Sequence, residues 1–102
     1  MTRKRVAVLA AALLAANAHA ETIAWMPNPD GGLIQFTDTP CAASGYAATI
    51  VDANGRILQS GCWKTDIPTF DVLWSDTGDT LYYNAANLTF TAAGRRLLEP
   101  QH

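Results

Sequence analysis

Tyr46-Ala-Ala-Thr-Ile-Val-Asp-Ala-Asn-Gly-Arg-Ile-Leu-Gln-Ser-Gly-Cys-Trp63 sets two β-capable runs on either side of Asn54-Gly55. That dipeptide favours a two-residue type I′ turn, because both central positions need a positive φ that Asn and Gly tolerate. A two-residue turn fixes the register. Ala53 then faces Arg56, Val51 faces Leu58, Thr49 faces Ser60 and Ala47 faces Cys62 on one side, with Ile50 and Gln59, and Tyr46 and Trp63, on the other. Cys62 thus shares a face with Val51 and Leu58, so that face is expected to be buried and to carry the disulfide, reaching to Cys41 at the end of the first strand.

Outward from the hairpin the chain reads as more strands. Leu33-Ile-Gln-Phe-Thr-Asp38 alternates and stops at Thr39-Pro40, and Phe70-Asp-Val-Leu-Trp-Ser75 alternates with Phe70, Val72 and Trp74 on one face. Leu81-Tyr-Tyr83 and Leu88-Thr-Phe-Thr91 supply shorter pieces, and Asn84 to Asn87 reads as a turn or one helical turn. Upstream, Trp25-Met-Pro-Asn-Pro-Asp-Gly-Gly32 has two prolines and two glycines, which argue for an extended arm ending in a turn. About five short strands at close spacing predict an all-β fold, a small antiparallel meander or partly closed barrel. The expected organisation is a leader over 1–20, the arm over 21–32, a β domain over 33–91 and a tail or short terminal helix over 92–102.

The leader reading rests on Arg3, Lys4 and Arg5, an apolar stretch from Val6 to Ala16, and a small-x-small site at Ala18-His-Ala20. This is the pattern of a cleaved secretory signal peptide, and the apolar run is too short to span a bilayer, for which about 20 residues are needed. An exported product without stable membrane insertion is therefore expected, periplasmic or secreted. Three of the seven basic residues leave with the leader while all nine acidic ones stay, so the remaining chain carries a net charge of −5. Such a chain is repelled by phosphate backbones, which argues against nucleic acid as a partner. In an oxidising compartment Cys41 and Cys62, the only two cysteines, are expected to pair.

Few catalytic schemes have their parts. Asp76-Thr77-Gly78, with Gly94-Arg95-Arg96-Leu97-Leu98 downstream, resembles a retroviral-type aspartic protease protomer. That chemistry needs two carboxylates about 3 Å apart sharing a proton, and a flap that the short stretch between the two motifs cannot hold. Asp76-Thr-Gly78 also fits a three-residue hairpin loop, with a type I turn followed by a left-handed Gly78. Once His19 leaves, His102 is the only histidine, and with both thiols paired neither a histidine-based triad nor a Cys/His zinc site can be assembled. No catalytic residue, metal or cofactor is assigned. The alternative is an enzyme using carboxylates near Asp76, protease-like or glycosidase-like.

The aromatic residues give the one positive signal. Trp25, Tyr46 and Trp63, with Asp76 and Asp79, form the candidate binding surface: if the Tyr46/Trp63 face of the hairpin is open, it is an aromatic patch rimmed by acids. The competing reading has these rings complete a second small core under the arm at Trp25. The pattern Gly31-Gly32-x-Ile34-x-x-Thr37-Asp38-x-x-Cys41, followed by Gly61-Cys62-Trp63, resembles short exported proteins of proteobacteria and their phages over residues 25 to 90. The resemblance implies export, a disulfide and a β domain, and carries no catalytic residue over. The expectation is a small non-catalytic binding protein, an inhibitor of or accessory to an envelope or cell-wall protein of basic charge. A structural accessory of an envelope or virion is the other non-enzymatic reading.

Overall fold

The computed structural model describes residues 21–98. Seven strands, β1 (Thr22–Pro27), β2 (Leu33–Pro40), β3 (Tyr46–Val51), β4 (Ile57–Asp66), β5 (Thr69–Trp74), β6 (Thr80–Asn84) and β7 (Thr89–Phe90), are followed by a short helix α1 (Ala92–Leu98). All pairings are antiparallel, in the order β6-β5-β4-β3-β2-β1-β7. The first six strands are a plain meander, and the last returns to pair with β1.

That return forces the sheet to curl. Six strand spacings separate β6 from β7, about 29 Å in a flat sheet. The five steps of chain from Asn84 to Thr89, one turn of 3-10 helix included, span at most about 18 Å. The sheet therefore rolls into a half-barrel. Aromatic side chains from strands distant in the order meet inside it: Phe36 of β2 packs edge-on against Trp63, Phe70 and Tyr83, with centroids 6.1, 5.4 and 5.7 Å apart. Phe70 of β5 lies 5.8 Å from Phe90 of β7, closing the roll. Fully buried Phe36, Phe70 and Val72, with Ala24, Ala48 and Trp74, form the core.

Four expectations are corrected. There are seven strands rather than five, and the first of the additional ones is the expected arm. Thr22–Pro27 pairs with β2 along its length and with β7 at Ala24 and Trp25. Pro27 is tolerated because it ends the strand beyond the reach of β7, where its missing N–H breaks no interior ladder. Second, the β3–β4 turn is not type I′: no residue other than glycine has positive φ, so Asn54 stays right-handed and Gly55 alone is left-handed at +84°. Gly55 N donates to Asp52 O at 2.9 Å, giving a type I turn with a glycine bulge. Asp at the first and Gly at the fourth position is the type I preference.

The odd-length loop shifts the register by one, to Val51 opposite Ile57, and a second irregularity at Leu58 restores it. Ile50 faces Gln59, Ala47 faces Cys62 and Tyr46 faces Trp63, as expected. Third, the buried face of the hairpin is the opposite one. Ala48, Gly61 and Trp63 face the core, while Cys62, beside 51%-exposed Leu73, lies on the outer surface with its disulfide to Cys41. Small residues mark the core side because large rings from neighbouring strands fill it. A Cβ on Gly61 would lie 3.0 Å from the Trp74 ring and 2.5 Å from the Leu73 carbonyl. Fourth, the β5–β6 loop holds four residues rather than three, since Trp74 N donates to Asp79 O and Gly78 N to Trp74 O.

The C-terminal segment is a docked helix. Thr91 caps it by accepting from Gly94 N at 3.1 Å and donates its hydroxyl to Thr22 O at 2.7 Å, tying α1 to β1. Gly94 sits against the β1 backbone, where a Cβ would lie 1.9 Å from the Ile23 carbonyl oxygen. Gly94→Ala is expected to displace α1 and destabilise the protein by roughly 1–3 kcal/mol, read as a lower urea midpoint and faster amide exchange confined first to α1 and β1. The disulfide ties the end of β2 to β4 across β3, with Cα atoms 6.1 Å apart. Its replacement by Cys41→Ala/Cys62→Ala should cost about 3 kcal/mol in the same measurement. An unchanged midpoint in either case contradicts these roles.

Candidate functional site

The two ends of the half-barrel are filled differently. At one end the aromatic cluster occupies the interior, with Trp63 stacked on Phe70 at 5.1 Å and Trp63 Nε1 donating to the Thr37 carbonyl at 2.8 Å. The other end, formed by the β1–β2, β3–β4 and β5–β6 turns, carries aliphatic and shorter side chains and leaves an open groove of about 670 Å³. Met26, Ile34 and Ile50 contribute to its floor together with Trp74 and Tyr83, whose indole N–H and hydroxyl are joined at 3.2 Å. Leu58 and Leu81 form its exposed apolar walls. The irregularity in β4 explains Leu58: strict alternation would turn it outward with Ser60, and the bulge re-aims it into the mouth.

Polar groups come from the turns. Asn28 and Asp30 stand on one rim, and Gln59 and Asp76 on the other. The β1–β2 turn is rigid, with Asn28 Nδ2 donating to Gly31 O, Asn28 N to Gly32 O and Gly31 N to Asn28 O. Across the mouth, Gln59 Nε2 donates to Asp76 Oδ2 at 2.7 Å, which fixes the carboxylate at the edge of the groove. Two exposed carboxylates thus flank an apolar trough. Among the described residues no basic side chain lines it.

The candidate surface residues fall in three separate places, Tyr46 with Trp63, Asp76 with Asp79, and Trp25 by itself. Trp63 is 3% exposed and belongs to the main core, so it offers nothing to a partner. Tyr46 packs against it with ring centroids 5.4 Å apart and planes tilted by 38°, and remains 39% exposed at the filled end of the barrel, near Lys64 and Leu97. Trp25 alternates with the core residues Ala24 and Met26 and faces the outside of the sheet. Neither reading of these rings matches in full: they form no open patch, and Trp63 joins the main core rather than a second one under Trp25. Asp76 is on the groove rim, and Asp79 immediately precedes β6 in the same exposed turn. The groove itself escaped sequence reading because its lining comes one or two residues at a time from six strands.

The turn between β3 and β4 shifts the acidity of Asp52. The carboxyl group is held below the usual range chiefly by the Arg56 backbone N–H, against an opposing contribution from desolvation, with the Arg56 guanidinium at 3.1 Å and the Asn54 and Gly55 N–H groups assisting. It therefore braces the β3–β4 turn beside the groove.

No family model, no curated protein and no solved structure matches the chain. Chemistry has to be read from the groove alone: an apolar floor with carboxylate and amide rims, and among the described residues no group of three His, Cys, Asp or Glu side chains that could hold a metal ion.

A carboxyl pKa depressed in the folded state stabilises the fold above the ordinary carboxylate range, and that stabilisation is lost as pH falls through the lower folded value. Asp52→Asn keeps the side-chain acceptor for the turn N–H groups and removes the charge. The variant should melt below the parent at neutral pH, with the gap closing below about pH 4. A gap that persists unchanged into acid contradicts the charge assignment.

Proposed function

We propose that the protein is an exported, non-catalytic binding module whose barrel mouth takes an exposed segment of a basic protein partner at the cell envelope. The observation that carries this reading is the groove: an apolar trough about the size of known recognition sites, flanked by Asp30 and Asp76 on a chain whose net charge is −5 once residues 1–20 are removed. An apolar floor supplies contact area, while the carboxylates favour Lys or Arg at its edges and speed the encounter.

Export is supported by the expected leader over 1–20, which lies outside the described residues, and by the disulfide. Among the described residues no helix is long and apolar enough to cross a membrane. The geometry at the expected cut supports it further. Glu21 N donates to Asp38 Oδ1 at 2.8 Å, and Asp38 N donates back to Glu21 O at 3.0 Å. Hydrolysis of the Ala20–Glu21 bond turns that amide nitrogen into an ammonium facing the Asp38 carboxylate, a stronger charge-assisted contact. Mass spectrometry of the exported protein should find a chain beginning at Glu21. The competing enzymatic reading, carboxylate chemistry at Asp76, is less well supported, because this exposed carboxylate is engaged by an amide rather than by a second carboxyl group.

Binding is tested by immobilising the oxidised protein and probing it with a capped peptide of alternating Lys and Val and with its Glu/Val counterpart. Asp30→Asn/Asp76→Asn should weaken capture of the Lys/Val peptide by about 3- to 10-fold, and added salt should do the same. Equal capture of both peptides, or a response blind to the double substitution, overturns the proposal.

A further inference from the structure

β6 ends the sheet with an open edge, and β7 covers β1 only at Ala24 and Trp25, so the seam between β6 and the end of β1 is left unzipped beside the groove. Met26 of β1 and Leu81 and Tyr83 of β6 line that groove from its two sides. From this arrangement we infer that the basic segment is bound as an added β-strand, registered along β6. This rests on the reading of the groove as a polypeptide site and specifies how the segment is held.

Ladder geometry says which atoms do the holding. Trp74 N donates to Asp79 O, so Trp74 and Asp79 form a hydrogen-bonded pair. Pairs then alternate along an antiparallel ladder, which directs the backbone groups of Leu81 and Tyr83 toward β5 and those of Thr80, Tyr82 and Asn84 to the open side. An incoming strand meets three residues' worth of outward N–H and C=O groups. The composition of this edge fits use rather than protection. Unused edges are blunted by lysine, proline or bulges, whereas Thr80-Leu-Tyr-Tyr-Asn84 has none of these, pairs with β5 in unbroken register and leaves Tyr82 68% exposed.

Charge selects the occupant. Asp79 and Asp76 lie in the turn just before the edge, and the far rim carries Asp30, so a strand with Lys or Arg at its end over the β5–β6 turn is favoured. A second copy of the same acidic chain is not. Alternate side chains of the added strand point into the apolar trough between Leu81 and Met26, so the recognised segment alternates apolar residues with basic or polar ones.

The test uses the oxidised protein and three probes: the capped Lys/Val octapeptide, and two versions of it N-methylated at every second amide, in opposite phases. Amide exchange at Thr80 and Tyr82 should slow on binding the unmodified peptide. At least one methylated phase should bind about tenfold or more weakly, because it removes the donors that face β6. Tyr82→Pro, which deletes an outward N–H without touching the β5 ladder, should weaken binding similarly. The methylated peptides keep the test decisive if that variant fails to fold. Equal binding of both methylated phases, with no protection at Thr80 and Tyr82, overturns strand addition while leaving the groove as a binding site. No preference for the Lys/Val peptide over Glu/Val overturns the groove reading itself.

Discussion

The short crossing from β6 to β7 governs this molecule. A few residues must connect strands at opposite ends of a seven-stranded order, and they reach only if the sheet rolls until its first and last edges approach. The roll is held by aromatic packing across the interior rather than by pairing along the seam. Phe36 sits at the centre, with rings from β4, β5 and β6 around it, and Phe90 brings the returning strand onto Phe70. Edge-to-face contacts of this kind add to the area each ring buries. β7 could be two residues long because hydrophobic packing, more than hydrogen bonding, fixes its place.

Curling a sheet without closing it has a functional consequence. A closed barrel has no free edge, whereas this half-barrel leaves β6 unpaired on one side, beside the part of the interior that the aromatic cluster does not fill. Stability and the candidate site are therefore divided between the two ends of one sheet. The filled end supplies the core, reinforced by the docked α1, while the other end exposes an apolar trough, its carboxylate rims and a strand edge. The disulfide reinforces the outer surface, away from the groove.

The hairpin over residues 46–63 was legible for a local reason: alternation and turn residues act over a few positions, and the pairing of Tyr46 with Trp63 followed. Its turn type was misread because Asp52, which caps the turn through its carboxylate and favours type I, outweighs the preference of Asn-Gly for the mirror-image turn. The inside and outside of the same hairpin are inverted relative to the expectation from Val51 and Leu58, because those two residues lie at the register irregularity and do not report the face of the rest of the strand. Ala48 and Gly61 are buried since Phe36 and Trp74 occupy the space above them, and that requirement is set by other strands.

What the amino-acid order determined by itself was the β class, the cysteine pairing, the alternation of each strand and the acidic surplus, all consequences of local stereochemistry or simple count. Asp76 could be placed in a turn by its neighbours. That this turn borders a groove, that Trp63 is sealed in the core while Trp25 faces outward, and that β6 keeps a free edge were decided only when distant strands met. Curvature is a property of the whole sheet, summed over twist, side-chain volume and one short connection, and no window of sequence contains it.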